Sequence, residues 1–337
     1  KTGASSVSVA VDRNENEERR VGGVSLTAGG DTAEPKSITV IVSQEAAEQL
    51  PDLAFQLSGD QPDVTVCDSA DEADTLFDVD DAVRLAFGWT NCGDGAAEGA
   101  VVNDVTVTPF LGGEALQVRL TEEGGVAVDA NLRGSADFTE LAPGPYVASV
   151  LLDAGGAVRE KDENNNEAIV RFAVRDEIEI AEAVNNDRLS FWTVNDEWFG
   201  TRGFGADGEH CAMTKHLGDG AENRLTTTVV GPGTLTFAYR VSSEPNDVFS
   251  VSVDNVQAFA ESGLGDWTVT EIRVEGDGDH SISWTYAKDE TLSAGADCAF
   301  LDQVLWVSDY SFDPPENVQA TDGESGITVS WDPCEGA

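Results

Sequence analysis

The feature that most constrains the fold is an acidic, Asn-rich turn followed at once by an alternating run. Residues 162–166 form the turn, and residues 169–174 then alternate between two faces. Successive side chains point to opposite sides of a strand, so this pattern predicts a turn leading into a β-strand. Strand-like runs occur at 53–57, 64–67, 82–90, 101–110, 125–132, 145–152 and 169–174. Seven short runs separated by turns predict an immunoglobulin-like β-sandwich.

Three segments of this predicted sandwich resemble the CARDB (cell-adhesion-related) family. They are residues 156–174, the run Asn-Cys-Gly-Asp-Gly at 91–95, and Leu-Ala-Pro-Gly-Pro-Tyr at 141–146. The resemblance implies an extracellular sandwich over residues 51–175, with Tyr146 in its core. Residues 68–81 are longer and more acidic than the family pattern, and we expect a short helix or an exposed loop there.

Residues 179–309 predict a second sandwich. Leu235, Phe237, Tyr239 and Val241 would share one face of a strand that follows the turn at 231–233. Five segments resemble a jelly-roll module of secreted bacterial proteins, which is similar to MAM and lectin-like sandwiches: 198–199, 231–233, 242–244, 284–289 and 299–302. The whole chain is therefore predicted to be all-β, with tandem sandwiches of immunoglobulin-like and jelly-roll type.

The two ends of the sequence resemble parts of further modules. Residues 1–47 are similar to the C-terminal part of a BACON-like immunoglobulin-like domain. Residues 313–337 are similar to the first strands of a fibronectin type III domain, with Trp331 as its core Trp. Two interpretations stay open: an excerpt of a longer surface array, or a fibre subunit whose C-terminal strands complete the next subunit's N-terminal sheet.

Charge narrows the choice of partners. The sequence holds 63 acidic and 19 basic residues, a formal net charge of −44. Such a chain repels nucleic acid and anionic membrane surfaces, so both are excluded as partners, and no apolar run is long enough for membrane insertion. An acidic, Lys-poor surface suits strong salt, although an ordinary acidic secreted protein is the alternative. We expect an extracellular or cell-surface location.

Five cysteines leave one unpaired. Cys67 and Cys92 fall in the first sandwich, and Cys211 and Cys298 in the second, which suggests one disulfide in each. Cys334 would remain free or form an intermolecular bond. The alternative is five buried free thiols.

Oxygen-rich loops make Ca²⁺ the expected cofactor, if there is one. The first predicted ligand set is Asp162, Glu163, Asn164 and Asn165 in the acidic turn. The second set is Asp297 and Asp302, with Asp187 or Asp207 from the start of that segment. The alternative for the turn is a solvated acidic loop, because Asn also suits turn conformations.

Catalytic motifs are missing from the sequence. Neither H-E-x-x-H nor G-x-S-x-G occurs, and the G-x-G-x-x-G match at 203–208 precedes a predicted strand where a dinucleotide site needs a helix. The interpretation is a non-catalytic structural or adhesive protein whose partners are its own copies, neighbouring modules or glycans.

A second function from another class stays open: a carbohydrate-binding accessory region of a secreted hydrolase. Trp192, Trp198 and Phe199 are the candidate sugar contacts. Their alternative role is core packing, which is the commoner fate of large aromatic side chains in sandwiches.

Overall fold

The computed structural model describes residues 19–30, 33–44, 48–176, 178–194, 197–310, 317–323, 326–330 and 332. Within them the chain forms 23 strands and one short helix, α1 (Ile180–Ala183). The all-β prediction is therefore confirmed. The described residues include no helix that is both long and apolar enough to cross a membrane.

The first sandwich contains two main sheets. Its strands are β3 (Leu53–Phe55), β4 (Leu57–Ser58), β5 (Gln61–Pro62), β6 (Val64–Cys67), β7 (Leu76–Asp78), β8 (Val83–Asn91), β9 (Val101–Pro109), β10 (Leu116–Glu122), β11 (Asn131–Phe138), β12 (Gly144–Leu151) and β13 (Glu167–Arg175). One sheet has the order β10-β9-β12-β13-β7, and the other has β11-β8-β3 with β6 also paired to β8. All pairs are antiparallel except β13 with β7.

The inward-facing residues of both sheets form one core. Phe87, Trp89 and Phe172 are almost fully buried in it. Tyr146 is 4% exposed, stacks on Phe172 with ring centroids 5.2 Å apart, and donates its hydroxyl to the Ala142 carbonyl at 2.7 Å. The core position predicted for Tyr146 is confirmed.

The second sandwich is built around two long strands. Its elements after α1 are β14 (Phe191–Thr193), β15 (Trp198–Arg202), β16 (His210–Thr214), β17 (Glu222–Ser242), β18 (Val248–Val253), β19 (Val256–Ser262), β20 (Thr268–Ala287) and β21 (Cys298–Ser308). The strand order is β15-β16-β21-β17-β20-β18-β19, with β14 also paired to β17.

Strands β17 and β20 run through both layers of this sandwich. The first half of β17 pairs with the second half of β20, and its second half pairs with the first half of β20 and with β21. The register shifts between Gly231 and Gly233, where Pro232 interrupts the ladder. The turn predicted at 231–233 is thus a bend inside one strand, because a bulge tolerates a proline that lacks an N–H.

The two sandwiches share a small hydrophobic cluster. Its buried members are Ala173, Phe199, Cys211, Met213, Ala296, Cys298 and Phe300. Polar contacts add to it: Arg171 Nε donates to the Gly295 carbonyl at 3.0 Å, and Thr75 Oγ1 donates to the His216 carbonyl at 3.1 Å. The sandwiches therefore pack against each other as well as following each other in the chain.

Two further hairpins form sheets of their own. Strand β1 (Arg20–Gly30) pairs with β2 (Ala33–Gln44), and β22 (Gln319–Gly323) pairs with β23 (Gly326–Ser330). Trp331 and Cys334 lie outside the described residues, so their predicted roles stay predictions.

Candidate functional site

A buried lysine lies at the centre of the second sandwich's polar site. Strand β20 alternates Ile282, Trp284 and Tyr286 toward the core, and the next inward position is Lys288. The Lys288 side chain is fully buried, with Nζ 2.5 Å from Asp297 Oδ2 and 3.3 Å from Asp247 Oδ2. It also donates to Ser293 Oγ at 3.0 Å. The carboxylates around this ammonium offset part of the cost of burying its charge.

Asp297 precedes β21 and gathers three partners. Besides Lys288, it accepts the Tyr286 hydroxyl at 2.9 Å and lies 3.5 Å from Nδ1 of His216. Burial alone would raise the pKa of Asp297, but the hydrogen bond and charge of Lys288 outweigh it and lower that pKa. Burial lowers the pKa of His216 to about 4, so the imidazole is neutral at pH 7.

Three carboxylates converge on the outer side of this site. One oxygen from each of Glu244, Asp247 and Asp289 lies within 4.8 Å of the others. Glu244 is 6% exposed and Asp247 is fully buried. Burial raises the pKa of Asp247, which shows how unfavourable its charge is there. Carboxylate oxygens at this spacing can hold a metal ion.

Buried negative charge exceeds buried positive charge at this site. Glu244, Asp247 and Asp297 are buried carboxylates, and Lys288 is the single buried basic side chain among the described residues. An unpaired buried charge costs several kcal/mol unless a proton or a cation compensates it. The site therefore has the chemistry of a cation site built beside an internal ion pair.

Sequence reasoning missed Glu244, Asp247, Lys288 and Asp289. The signal for Lys288 was present, since the alternation of β20 already placed residue 288 on the inward face. Glu244 and Asp247 lie three residues apart in the loop before β18, but no sequence signal joined them to Asp289, which the pairing of β18 with β20 brings beside them.

The polar groups of the predicted acidic turn form mainly local hydrogen bonds. Asp162 Oδ1 accepts the backbone N–H of Asn164 at 3.0 Å and its side-chain amide at 2.9 Å, and Glu163 accepts the N–H of Glu160. Asn165 donates to Asp52 at 2.8 Å, while its own Oδ1 is buried with no hydrogen-bond partner. Two of these four residues carry carboxylates and two carry amides, and their role as Ca²⁺ ligands stays a prediction.

The two aspartates of the second predicted ligand set, Asp297 and Asp302, have different hydrogen-bond partners. Asp297 serves the lysine site, whereas Asp302 Oδ2 accepts the Ala206 N–H at 2.7 Å and fixes the loop between β15 and β16. Asp207 accepts the N–H of Glu209 in that same loop. The prediction that Asp297 and Asp302 act together finds no common site in the described structure.

Both predicted intramolecular disulfides are wrong in this structure, where Cys67, Cys92, Cys211 and Cys298 are free. Cys67 lies opposite Arg84 on β8, whereas Cys92 follows the far end of that strand. Strand pairing Ala212↔Leu301 offsets Cys211 from Cys298 by four residues, about 13 Å of strand. A disulfide needs Cα atoms about 5.5–6 Å apart, so neither pair can close.

Two of the three predicted sugar contacts are core residues. Trp198 is 1% exposed and Phe199 is 5% exposed, so neither is available to a glycan. Trp192 is 50% exposed on the edge strand β14 and stays a candidate.

Comparisons with known proteins leave the family open. No family model matches the chain, and no curated protein matches it. Solved structures similar to it include the secreted serine protease VesC from Vibrio cholerae, at 12% identity over 73% of this chain and 51% of that one, with a TM-score of 0.33. The chain thus spans about half the length of the VesC structure.

Two further structures extend the comparison. A CARDB domain from Pyrococcus furiosus in complex with di-metal ions is 18% identical over 37% of this chain and 89% of that one, with a TM-score of 0.28. The M60 catalytic domain of Clostridium perfringens ZmpB, with its two CBM51 domains, is 10% identical over 88% of this chain and 42% of that one, with a TM-score of 0.17. TM-scores this low do not assign a fold, so the all-β class rests on the strands of the structure described above. The BACON, MAM and fibronectin type III resemblances stay predictions.

Proposed function

We propose that this chain is a non-catalytic, extracellular protein with a structural or adhesive role, which assembles head to tail through its outlying hairpins. The observation that carries the proposal is apolar exposure on the two outlying hairpin sheets, β1–β2 and β22–β23. Val21 and Ile41 of the β1–β2 hairpin are 63% and 72% exposed, and Ile327 and Val329 of the β22–β23 hairpin are 72% and 51% exposed. Within the described part of the chain neither hairpin pairs with a third strand, and a lone hairpin is only marginally stable in water, which supports the need for a partner.

Strand addition would supply that partner. The edge of a two-stranded sheet offers unpaired N–H and C=O groups to an incoming strand. If the last hairpin of one molecule pairs with the first hairpin of the next, the contact does not close on itself and a filament results. Neighbouring modules of a longer chain would cover the same faces without forming a polymer.

The packed junction between the sandwiches supports a spacing role. The shared cluster around Phe199, Met213 and Phe300, together with the Arg171 contact, fixes one sandwich on the other. A rigid pair transmits direction along a fibre better than two freely linked modules. Salt would favour assembly, because it screens the repulsion between molecules that each carry a charge of −44.

Electron microscopy and analytical ultracentrifugation in high salt test this proposal. Wild-type protein should form filaments with a regular axial repeat, and Ile41→Asn or Ile327→Asn should shorten them or leave monomers. Leu292→Asn is the matched control, since Leu292 is 75% exposed on the second sandwich. A monodisperse wild-type monomer would contradict head-to-tail assembly, and isolated rods would favour a longer array.

We also propose Ca²⁺ as the ion of the Glu244–Asp247–Asp289 site. Ca²⁺ prefers hard oxygen ligands and tolerates irregular geometry, which suits three carboxylates from two different loops. Calorimetric titration should give one Ca²⁺ per chain, and Asp289→Asn should abolish or strongly weaken it. Glu271→Gln, an exposed acid on β20, is the control. Equal binding by both variants would place the ion elsewhere, with the acidic turn at Asp162 as the next site to change.

Carbohydrate binding is the second candidate function. The half-exposed Trp192 favours it, because a flat aromatic face can pack on the apolar C–H surface of a sugar. A glycan array probed with wild-type protein and Trp192→Ala tests this candidate independently of assembly.

A further inference from the structure

An open cleft lies at one end of the second sandwich. It has a volume of about 970 Å³, near the upper limit of small-ligand sites. The loop at residues 185–189 forms one wall, and the last part of β21 with Tyr310 forms the other. Both walls combine polar and apolar groups, which distinguishes the cleft from a plain apolar groove.

The loop wall is held in place before any ligand arrives. The buried Asn186 donates its side-chain amide to the Val304 carbonyl at 2.9 Å, and its Oδ1 accepts the N–H groups of Arg188 and Leu189 at 2.9 and 3.0 Å. Val304 N–H donates to the Val184 carbonyl at 2.9 Å. The loop therefore presents Arg188 to the cleft with little ordering left to lose on binding.

The opposite wall offers two positioned aromatic rings. Trp306 lies so close to Gly233 that a Cβ there would come within 2.3 Å of its ring, so the absence of a side chain at this position admits the indole. Tyr310 is 40% exposed, and its hydroxyl donates to Asp277 Oδ1 at 3.0 Å. Val230, at 51% exposure, adds an aliphatic surface to the lining of the cleft.

We propose that this cleft binds an uncharged oligosaccharide, an inference that rests on the second candidate function above. A pyranose ring needs an apolar surface for its C–H face and hydrogen-bonding groups for its hydroxyls. Tyr310 provides the first, together with the part of the partly buried Trp306 that lines the cleft, and Asp187 and Arg188 provide an acceptor and a donor at the rim. The net charge of −44 repels polyanionic glycans, so uronic or sulfated chains fit poorly.

The test begins with a glycan array, followed by calorimetric titration with the best-bound uncharged oligosaccharide. Tyr310→Ala and Arg188→Ala should each weaken binding by at least about tenfold, since truncating an anchoring residue commonly has this effect. Arg224→Ala is the matched control, because Arg224 is half exposed on the same sandwich outside the cleft, and it should bind like wild type. Trp192→Ala is measured beside it as the variant of the other candidate sugar contact.

Three results would overturn the inference, and they differ in whether they also contradict carbohydrate binding as a function. No binding to any glycan would also remove carbohydrate binding as a function. Binding that both cleft variants retain, or that Trp192→Ala alone loses, would keep that function and exclude this cleft. Preference for anionic glycans would contradict the charge argument. Filament formation is measured separately and depends on none of these outcomes.

Discussion

The two sandwiches bury acidic side chains in different ways. In the first, the buried Asp153 accepts the N–H groups of Ala157 and Val158, and the buried Glu160 accepts that of Leu53. The buried Asp104 there pairs with Arg119, which is exposed to water. In the second, Asp302 also accepts a backbone N–H, but Asp247 and Asp297 share the ammonium of Lys288, which has no access to water.

This difference decides how each sandwich responds to change. A carboxylate that accepts backbone N–H groups holds a loop in place, and its loss affects mainly that loop. A buried ammonium and its carboxylates depend on one another, so the loss of one member leaves the others as unpaired charges. Stability should therefore be concentrated at Lys288 in the second sandwich and distributed over many positions in the first.

The largest expected effect is that of Lys288→Met. Removing the ammonium leaves the buried charges of Asp247 and Asp297 without the positive charge that compensates them, which should lower the free energy of unfolding by about 3–5 kcal/mol. Lys161→Met is the control in the first sandwich, where Lys161 pairs with Asp94 at the surface and its loss should cost about 0–1 kcal/mol. Urea unfolding followed by Trp fluorescence measures both.

A rescue experiment sharpens this comparison. Adding Asp247→Asn and Asp297→Asn to Lys288→Met removes all three charges, and part of the lost stability should return. Similar losses for Lys288→Met and Lys161→Met would contradict the concentration of stability at Lys288.

The pH dependence should have opposite signs at His216 and Glu160. Burial lowers the pKa of His216 to about 4 from its ordinary 6.5, so between these values only the unfolded chain binds the proton. Stability is then lost as the pH falls through this window, by up to about 3 kcal/mol. Burial raises the pKa of Glu160, so its contribution is present at low pH and lost as the pH rises through the raised value.

Single variants separate these two contributions. The stability difference between wild type and His216→Gln should change between pH 6.5 and 4 and be constant below that. The difference between wild type and Glu160→Gln should change only above the ordinary pKa of Glu160, 4.5. If both differences change in the same direction with pH, the contrast between the two buried groups is wrong.

Alternation predicted most strands of the first sandwich but failed at its polar edges. The run predicted at 82–90 corresponds to β8 (Val83–Asn91), whereas the run predicted at 125–132 is largely loop, and the strand that follows is β11 (Asn131–Phe138). At Gly134 of β11, the ring of Phe87 fills the space that a side chain would otherwise occupy. Strand β10 (Leu116–Glu122) was missed because it lies at a sheet edge with most side chains exposed.

The candidate site was harder to predict than the fold. Spacing along the chain reveals acids in one loop, such as Asp162 and Glu163, and those acids turned out to bond within that loop. Glu244 and Asp247 are close in sequence, but Asp289 becomes their neighbour through the register of β18 against β20, which sequence spacing does not encode. Register depends on packing of the whole sheet, so the site follows from tertiary structure.

The smallest expected effect is that of Tyr146→Phe in the first sandwich. The variant loses the hydrogen bond from the hydroxyl to the Ala142 carbonyl and keeps the stacking on Phe172, so it isolates one neutral bond. The expected loss is about 1 kcal/mol, read from urea unfolding. Tyr310→Phe is the control, because its hydroxyl bonds to Asp277 at the surface and its removal should change stability by less than about 0.5 kcal/mol. A loss for Tyr146→Phe as large as that for Lys288→Met would mean that the first sandwich also depends on a single polar group, and the contrast between the two sandwiches would fail.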